Sequence, residues 1–178
     1  MNYETWAETV PAEITQDSLW KMKVYRLALF LADLAWCDVT KLMRDRRTID
    51  IAGQFYRAVS SIEANAPEGY SRGSGRDRAR FYEYALGSRR ESRGWYYKGR
   101  HVLGEGVATH RMLLVTNIVR LLLTMVPEQR AAGPSVLHEN SRQYGTKTTA
   151  EMPLITDEVA QLVTSQDLAE LLESVPMP

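Results

Sequence analysis

The 178-residue chain has little of what most enzymes use for chemistry: one cysteine and three histidines. A lone Cys37 excludes an intramolecular disulfide and points to a reducing, cytoplasmic setting. Cys37 follows Trp36 in an apolar run with no neighbouring histidine, which suits a structural thiol rather than a nucleophile. Ser60 and Ser61 have no triad context. His101, His110 and His138 are dispersed, and neither Glu-x-x-His nor His-x-x-Glu-His spacing occurs, so no metal site and no di-iron bundle site are expected. The start, MNYETWAETVPAEI, lacks the basic and apolar regions of a signal peptide. The longest apolar run, Met112 to Val126, is interrupted by Thr116, Asn117, Arg120 and Thr124 and falls short of the roughly 20 apolar residues that span a bilayer. It reads as a buried helix, and no membrane partner is expected.

What the chain has is charge, unevenly placed. The formal net charge is zero, yet residues 1–40 hold three basic and six acidic side chains and residues 41–111 hold fifteen basic and eight acidic. Residues 127–178 hold three basic and eight acidic. A basic middle between acidic ends bears on association more than the overall charge does.

Apolar spacing predicts helices throughout. From about 17 to 43, Trp20, Val24, Leu27, Leu31 and Leu34 form one stripe; Met22, Tyr25, Leu29, Ala32 and Trp36 form a second. Two stripes allow either burial on both sides within one bundle or a second contact, in a subunit interface or under the tail. A polar turn, Met43 to Thr48, precedes a second helix over about 49–66, which Pro67 is expected to end. Ser74, with Asp77 three residues on, resembles a helix cap. A third helix follows over about 75–102, with Phe81, Ala85, Ser88, Ser92 and Trp95 on its inner face. Gly104 and Gly106 break the chain before a fourth helix, about 107–126, which Pro127 is expected to end. The expected fold is all-α: an antiparallel up-down four-helix bundle (18–126), an N-terminal arm (1–17), and a C-terminal extension (127–178) of linker plus one or two short acidic amphipathic helices.

The stretch NAPEGYSRGSGRDRARFYEYALGS, Asn65 to Ser88, poses the functional question. A glycine-rich basic loop can cradle phosphate, but neither the Walker lysine pattern nor G-x-G-x-x-G after a strand is present, so no nucleotide site is expected. The plain reading is an inter-helix turn with glycines at positive φ. Its basic continuation is more telling. Arg72, Arg76, Arg78, Arg80, Arg89, Arg90, Arg93, Lys98 and Arg100 interleave with Tyr82, Tyr84, Trp95, Tyr96 and Tyr97, against only three acids, Asp77, Glu83 and Glu91. Arginine neutralises phosphates whatever the sequence, and aromatics stack on unpaired bases. The alternative is a salt-bridged, solvated helix whose aromatics are core. Glu63, Glu68, Glu83 and Glu91 read as ion-pair partners rather than acid–base catalysts.

Certain residues carry a family resemblance: Gln54, Arg57-Ala58-Val59, Ser61-Ile62, Asn65, Glu68-Gly69-Tyr70, Arg80-Phe81, Leu86-Gly87-Ser88 and Glu91, with Lys23-Val24-Tyr25 and Ala28 before them. Over roughly 18–126 the chain resembles the four-helix-bundle proteins encoded by intervening sequences in bacterial 23S ribosomal RNA genes, a family that includes the accessory variability determinant proteins of diversity-generating retroelements. The resemblance implies an up-down bundle, a ring-like homopentamer with a basic surface, and no enzymatic activity, catalytic residue or cofactor. For the retroelement members it implies association with RNA or DNA and a reverse transcriptase. A protein–protein scaffold without a nucleic-acid role is the alternative. The signature residues Arg57, Ser61, Asn65, Glu68, Gly69, Gly87, Ser88 and Glu91 are assigned structural roles: Asn65 and Glu68 at a helix end or paired with Arg57, and Gly87 and Ser88 in close helix contact. The chain departs from the family pattern at Ala66-Pro67 and in the basic, aromatic segment after Glu91.

Overall fold

The computed structural model describes residues 2–132 and 165–178. Four long helices make the body: α3 (Lys23–Leu42), α4 (Ile49–Tyr70), α5 (Gly75–Leu103) and α6 (Glu105–Ala131). Two short ones, α1 (Tyr3–Thr9) and α2 (Ala12–Thr15), precede them with a 3-10 turn, Ser18–Lys21, and α7 (Ser165–Glu173) follows. Each long helix packs on its neighbours in sequence, and α6 closes the ring on α3. Ser61 meets Ser88 and Gly69 lies against Tyr82, so α4 and α5 run antiparallel; Arg78 meets Gln129 and Arg100 meets Glu105, so α5 and α6 do too. The described residues therefore form the expected four-helix bundle. Of the linker expected over 127–155, residues 133–155 lie outside the described residues; of the acidic helical segment expected over 156–175, residues 156–164 do too, and α7 occupies Ser165–Glu173 of the remainder.

The core is the inner stripe of each helix. Leu27, Phe30, Leu31 and Leu34 of α3 face Phe55, Val59 and Ile62 of α4 and Leu114, Ile118 and Leu122 of α6, all buried. The first stripe is buried along α3 from Val24 to Leu34, with Trp20 half-buried ahead of the helix; the second is only partly buried and ends at Trp36, which is 65% exposed. The N-terminal arm is helical and joins the core. Trp6 is buried against Phe30, flanked by Tyr3 and Trp20, and its indole N–H donates to Asp33 at 2.6 Å.

Several boundaries differ from expectation. The first long helix starts at Lys23, because Met22 is extended (ψ 110°) and parts it from the 3-10 turn. Neither Pro67 nor Pro127 ends its helix: α4 continues to Tyr70 and α6 to Ala131. A proline near a C-terminal end removes one backbone donor, and packing of Ala66 and Gly69 carries the last turn of α4 through. The break before α6 is Gly104 alone. It is the one positive-φ glycine among the described residues (φ 96°), and its carbonyl accepts from Ala108 at 3.1 Å. Gly106 is helical. α6 thus extends the Met112–Val126 run on both sides and, by length and composition alone, is long and apolar enough to cross a membrane; in this fold 56% of its most apolar window is buried.

Candidate nucleic-acid interface on helix α5

The glycine-rich stretch is a helix end, a four-residue turn and a helix start. Gly69, Gly73 and Gly75 do not have positive φ. Gly69 and Gly75 are needed for close approach instead. A Cβ on Gly69 would sit 2.6 Å from Cε1 of Tyr82, and one on Gly75 would strike the carbonyl oxygen of Gln129. Ser74 caps α5: its Oγ accepts from the Asp77 N–H at 3.1 Å and donates to the Asp77 carboxylate at 2.7 Å.

The inner face of α5 is rotated by one residue from expectation. Tyr82, Ala85, Ser92 and Tyr96 are buried, while Phe81, Ser88 and Trp95 are half-buried. Tyr82 and Tyr96 are core aromatics, unable to stack on a base: Tyr96 meets Phe55 edge-on at 4.5 Å. Tyr84 and Tyr97 do project outward, 46% and 57% exposed.

The nine expected cations do not form one uniform surface. Arg78 is buried; it donates to the Gln129 side chain and to the Arg72 carbonyl at 2.9 Å, which makes it a tie between helix ends and corrects its place in the expected surface. Arg72 pairs with Glu68 and lies over Phe81; Arg80 donates to the Tyr84 hydroxyl at 2.6 Å. Lys98 stands 4.5 Å from the ring centroid of Trp95. Arg100 lies 3.9 Å over Tyr97 and pairs with Glu105. Arg76, Arg90 and Arg93 are exposed, and Arg89 is half-buried. These four have no carboxylate partner among the described residues. The Arg89 guanidinium is held below its ordinary value, first by burial and then by Arg93 and Arg90.

The signature residues divide as well. Asn65 donates to the Ser61 carbonyl at 2.7 Å and to its hydroxyl at 3.1 Å, and Ser61 meets Ser88 at 2.9 Å, a polar seam between α4 and α5. Glu68 pairs with Arg72 rather than with Arg57, which is exposed. Gly87, expected at a close helix contact, is solvent-facing, and a Cβ there would meet nothing within 4 Å. Glu91 accepts from the Trp95 indole at 3.3 Å.

Sequence reasoning missed a buried polar network. Asp38 of α3 and Arg111 of α6 are both fully buried, and the carboxylate accepts from Nε at 3.0 Å and Nη2 at 3.3 Å. Tyr96 OH donates to the same carboxylate at 3.1 Å. Arg111 also donates to His110 Nδ1 at 2.9 Å and to the Pro176 carbonyl at 2.9 Å. With Nδ1 accepting, His110 carries its proton on Nε2 and donates to the Leu171 carbonyl at 2.7 Å. Burial, followed by repulsion from Arg111 against the favourable Leu171 bond, brings the His110 imidazole down to about 4. The described tail thus packs on α1 and docks on α6 through the Leu171 and Pro176 carbonyls, and no bond joins it to the arginines of α5 among the described residues. Among the described residues, no group of three His, Cys, Asp or Glu is placed to hold a metal ion.

Fold and surface together define an all-α four-helix bundle with one cationic, aromatic-flanked outer helix. Residues 20–105 match the family model described as 23S rRNA-intervening sequence protein, and the match supports the chain's membership of that family. The matched segment takes in α3, α4 and α5; α1, most of α6 and the tail lie outside it. No curated protein and no solved structure matches the chain.

Proposed function

We propose that this protein is a non-catalytic, homo-oligomeric helical bundle that binds RNA or DNA through the outer face of α5. The observation that carries this reading is the set of arginines there without carboxylate partners, Arg76, Arg89, Arg90 and Arg93, flanked by the outward Tyr84 and Tyr97. Such a surface neutralises phosphates irrespective of sequence. By the resemblance to the retroelement accessory proteins, the oligomer is a pentamer and its partner is a reverse transcriptase with its RNA. Filter binding at rising salt tests the central claim: affinity for oligonucleotides should fall steeply as salt rises. Absence of binding at low salt to every single- and double-stranded RNA and DNA would end it. Light scattering tests the assembly, which should weigh about five times the 20.3 kDa chain.

A second reading, a protein–protein scaffold, is favoured by Trp36. It stands exposed on α3, edge-on to Tyr56 of α4 at 5.8 Å, and lines a shallow pocket with the exposed Met177. Exposed apolar groups of this kind mark protein contacts. Trp36→Ser separates the readings: a scaffold loses its partner or its oligomer, whereas nucleic-acid affinity per protomer persists.

A further inference from the structure

We infer that Arg89, Arg90 and Arg93 form a phosphodiester-binding subsite in the middle of α5, bordered on its Arg90 side by the bare helix surface at Gly87 and Gly94. The inference deepens the nucleic-acid reading above and rests on it.

Arg78 aside, the cluster gathers three of the four α5 arginines that have neither a carboxylate nor a ring partner among the described residues; the fourth, Arg76, stands apart near the start of the helix. Arg72, Arg80, Lys98 and Arg100 each have an acid or an aromatic ring of their own, and Arg78 is internal. Arg89, Arg90 and Arg93 crowd three positive charges into five positions. Glu91, the acid between them in sequence, is engaged by the Trp95 indole. Within the cluster Arg89 Nε and Nη1 are buried and have no hydrogen-bond partner. Guanidinium donors removed from water and left without an acceptor are costly, and so are like charges held side by side. One anion relieves both costs. Arg89 and Arg93 are four apart on one helix side, a spacing at which two forks can bracket a single phosphate group. Burial and its arginine neighbours already hold the Arg89 guanidinium below its ordinary value, in agreement with a site lacking its counter-charge.

The glycines supply room for a nucleic-acid backbone. Gly87 and Gly94 are exposed, inside the longest helix, and a Cβ on either meets nothing within 4 Å. No packing within the described chain requires them, although glycine weakens a helix interior. They lie seven apart on one side of the helix with Arg90 beside their line, while Arg93 and Arg89 follow round the helix toward its buried face. A bare helix surface lets a sugar–phosphate backbone come within reach of short, bidentate arginine contacts.

The test uses the full chain, fluorescent oligouridylate and oligodeoxythymidylate, and salt titration. Arg90→Gln with Arg93→Gln should weaken binding at least about tenfold at low salt and flatten the log–log salt slope by about 1.4, at about 0.7 per single-strand phosphate contact. Arg72→Gln with Arg80→Gln removes the same charge in the turn before α5 and in its first half, and should change the slope far less. Equal losses in the two variants mean a diffuse basic belt and overturn the subsite. Wild-type binding that neither pair alters overturns it too, while leaving the nucleic-acid reading intact; no wild-type binding at all removes that reading itself. Gly87→Ala with Gly94→Ala should raise Tm by about 2–4 °C or more yet weaken oligonucleotide binding, so that loss of binding cannot be loss of fold. Unchanged binding in that variant overturns the close approach. A change in oligomer mass with binding retained assigns the glycine line to a neighbouring copy and also overturns it. Poly-glutamate competing as well as oligouridylate would make the site one for acidic protein instead.

Discussion

Removing Asp38 alone should be the most damaging single change in the bundle that leaves every apolar contact in place. Arg111 is fully buried, and among the described residues Asp38 supplies its only carboxylate, through bonds at 3.0 and 3.3 Å. Burial pushes the Asp38 carboxyl up, against the pull of Arg111 and Tyr96, so desolvation is the largest influence on the pair. Asp38→Leu leaves an uncompensated buried guanidinium and should cost about 3–5 kcal/mol. At about 2–4 °C per kcal/mol for a chain of this size, Tm should drop by about 6–20 °C. Asp38→Leu with Arg111→Met removes both charges and should cost far less, about 1–2 kcal/mol, much of it the Tyr96 hydroxyl left without its acceptor. Adding Tyr96→Phe should recover part of that remainder. Urea unfolding followed by tryptophan fluorescence measures each variant, with a constant m-value as the check on two-state behaviour. If Asp38→Leu costs less than about 1 kcal/mol, or if the double variant costs the sum of the two singles, the buried-charge argument is wrong.

The His110 contact gives a pH dependence with a definite sign. His110 ionises near 6.5 when freed and at about 4 in the fold, so the docked tail binds fewer protons between those values and docking weakens as pH falls through that window. The loss amounts to at most about 3 kcal/mol, is absent above pH 6.5, and should appear as faster proteolysis of the tail at pH 4.5 than at 7.5, a difference that His110→Asn abolishes. Gly69→Ala should destabilise the fold by about 1–2 kcal/mol by urea midpoint, because the new Cβ meets the buried Tyr82 ring at 2.6 Å and overpacking outweighs the gain in helix propensity. Arg78→Ala should cost about 1–3 kcal/mol of stability, yet it should leave the salt slope of nucleic-acid binding unchanged, since that guanidinium faces Gln129 and not solvent. An altered slope would return Arg78 to the binding surface.

Much of the fold was legible because it is local. Apolar spacing alone places α3 to α6, and the Ser74–Asp77 pair marks where α5 begins. The basic content of α5 is likewise readable residue by residue. Rotation of that helix was not, because Phe81 and Trp95 repeat at the same interval as Tyr82 and Tyr96. Either pair makes an amphipathic helix. The choice falls to the neighbours: Gly69 leaves a space on α4 for the Tyr82 ring, and Phe55 and Tyr96 pack edge to face. The prolines misled for a related reason, since tertiary packing of the last turns outweighs one lost backbone bond.

Sequence by itself determined that this is a helical, unevenly charged chain with a cationic third helix. Local periodicity and composition are properties of short windows, and they suffice for that much. Which cations are spoken for was decided only in three dimensions. Arg78 finds its partner 51 positions away, Arg111 finds Asp38 across 73, and His110 reaches Leu171 across 61. A charge is silenced or left open by what folding brings beside it. Arg111 reads in the sequence as one more basic residue and is the most deeply neutralised charge in the bundle, while Arg90 and Arg93, alike on paper, are left facing solvent.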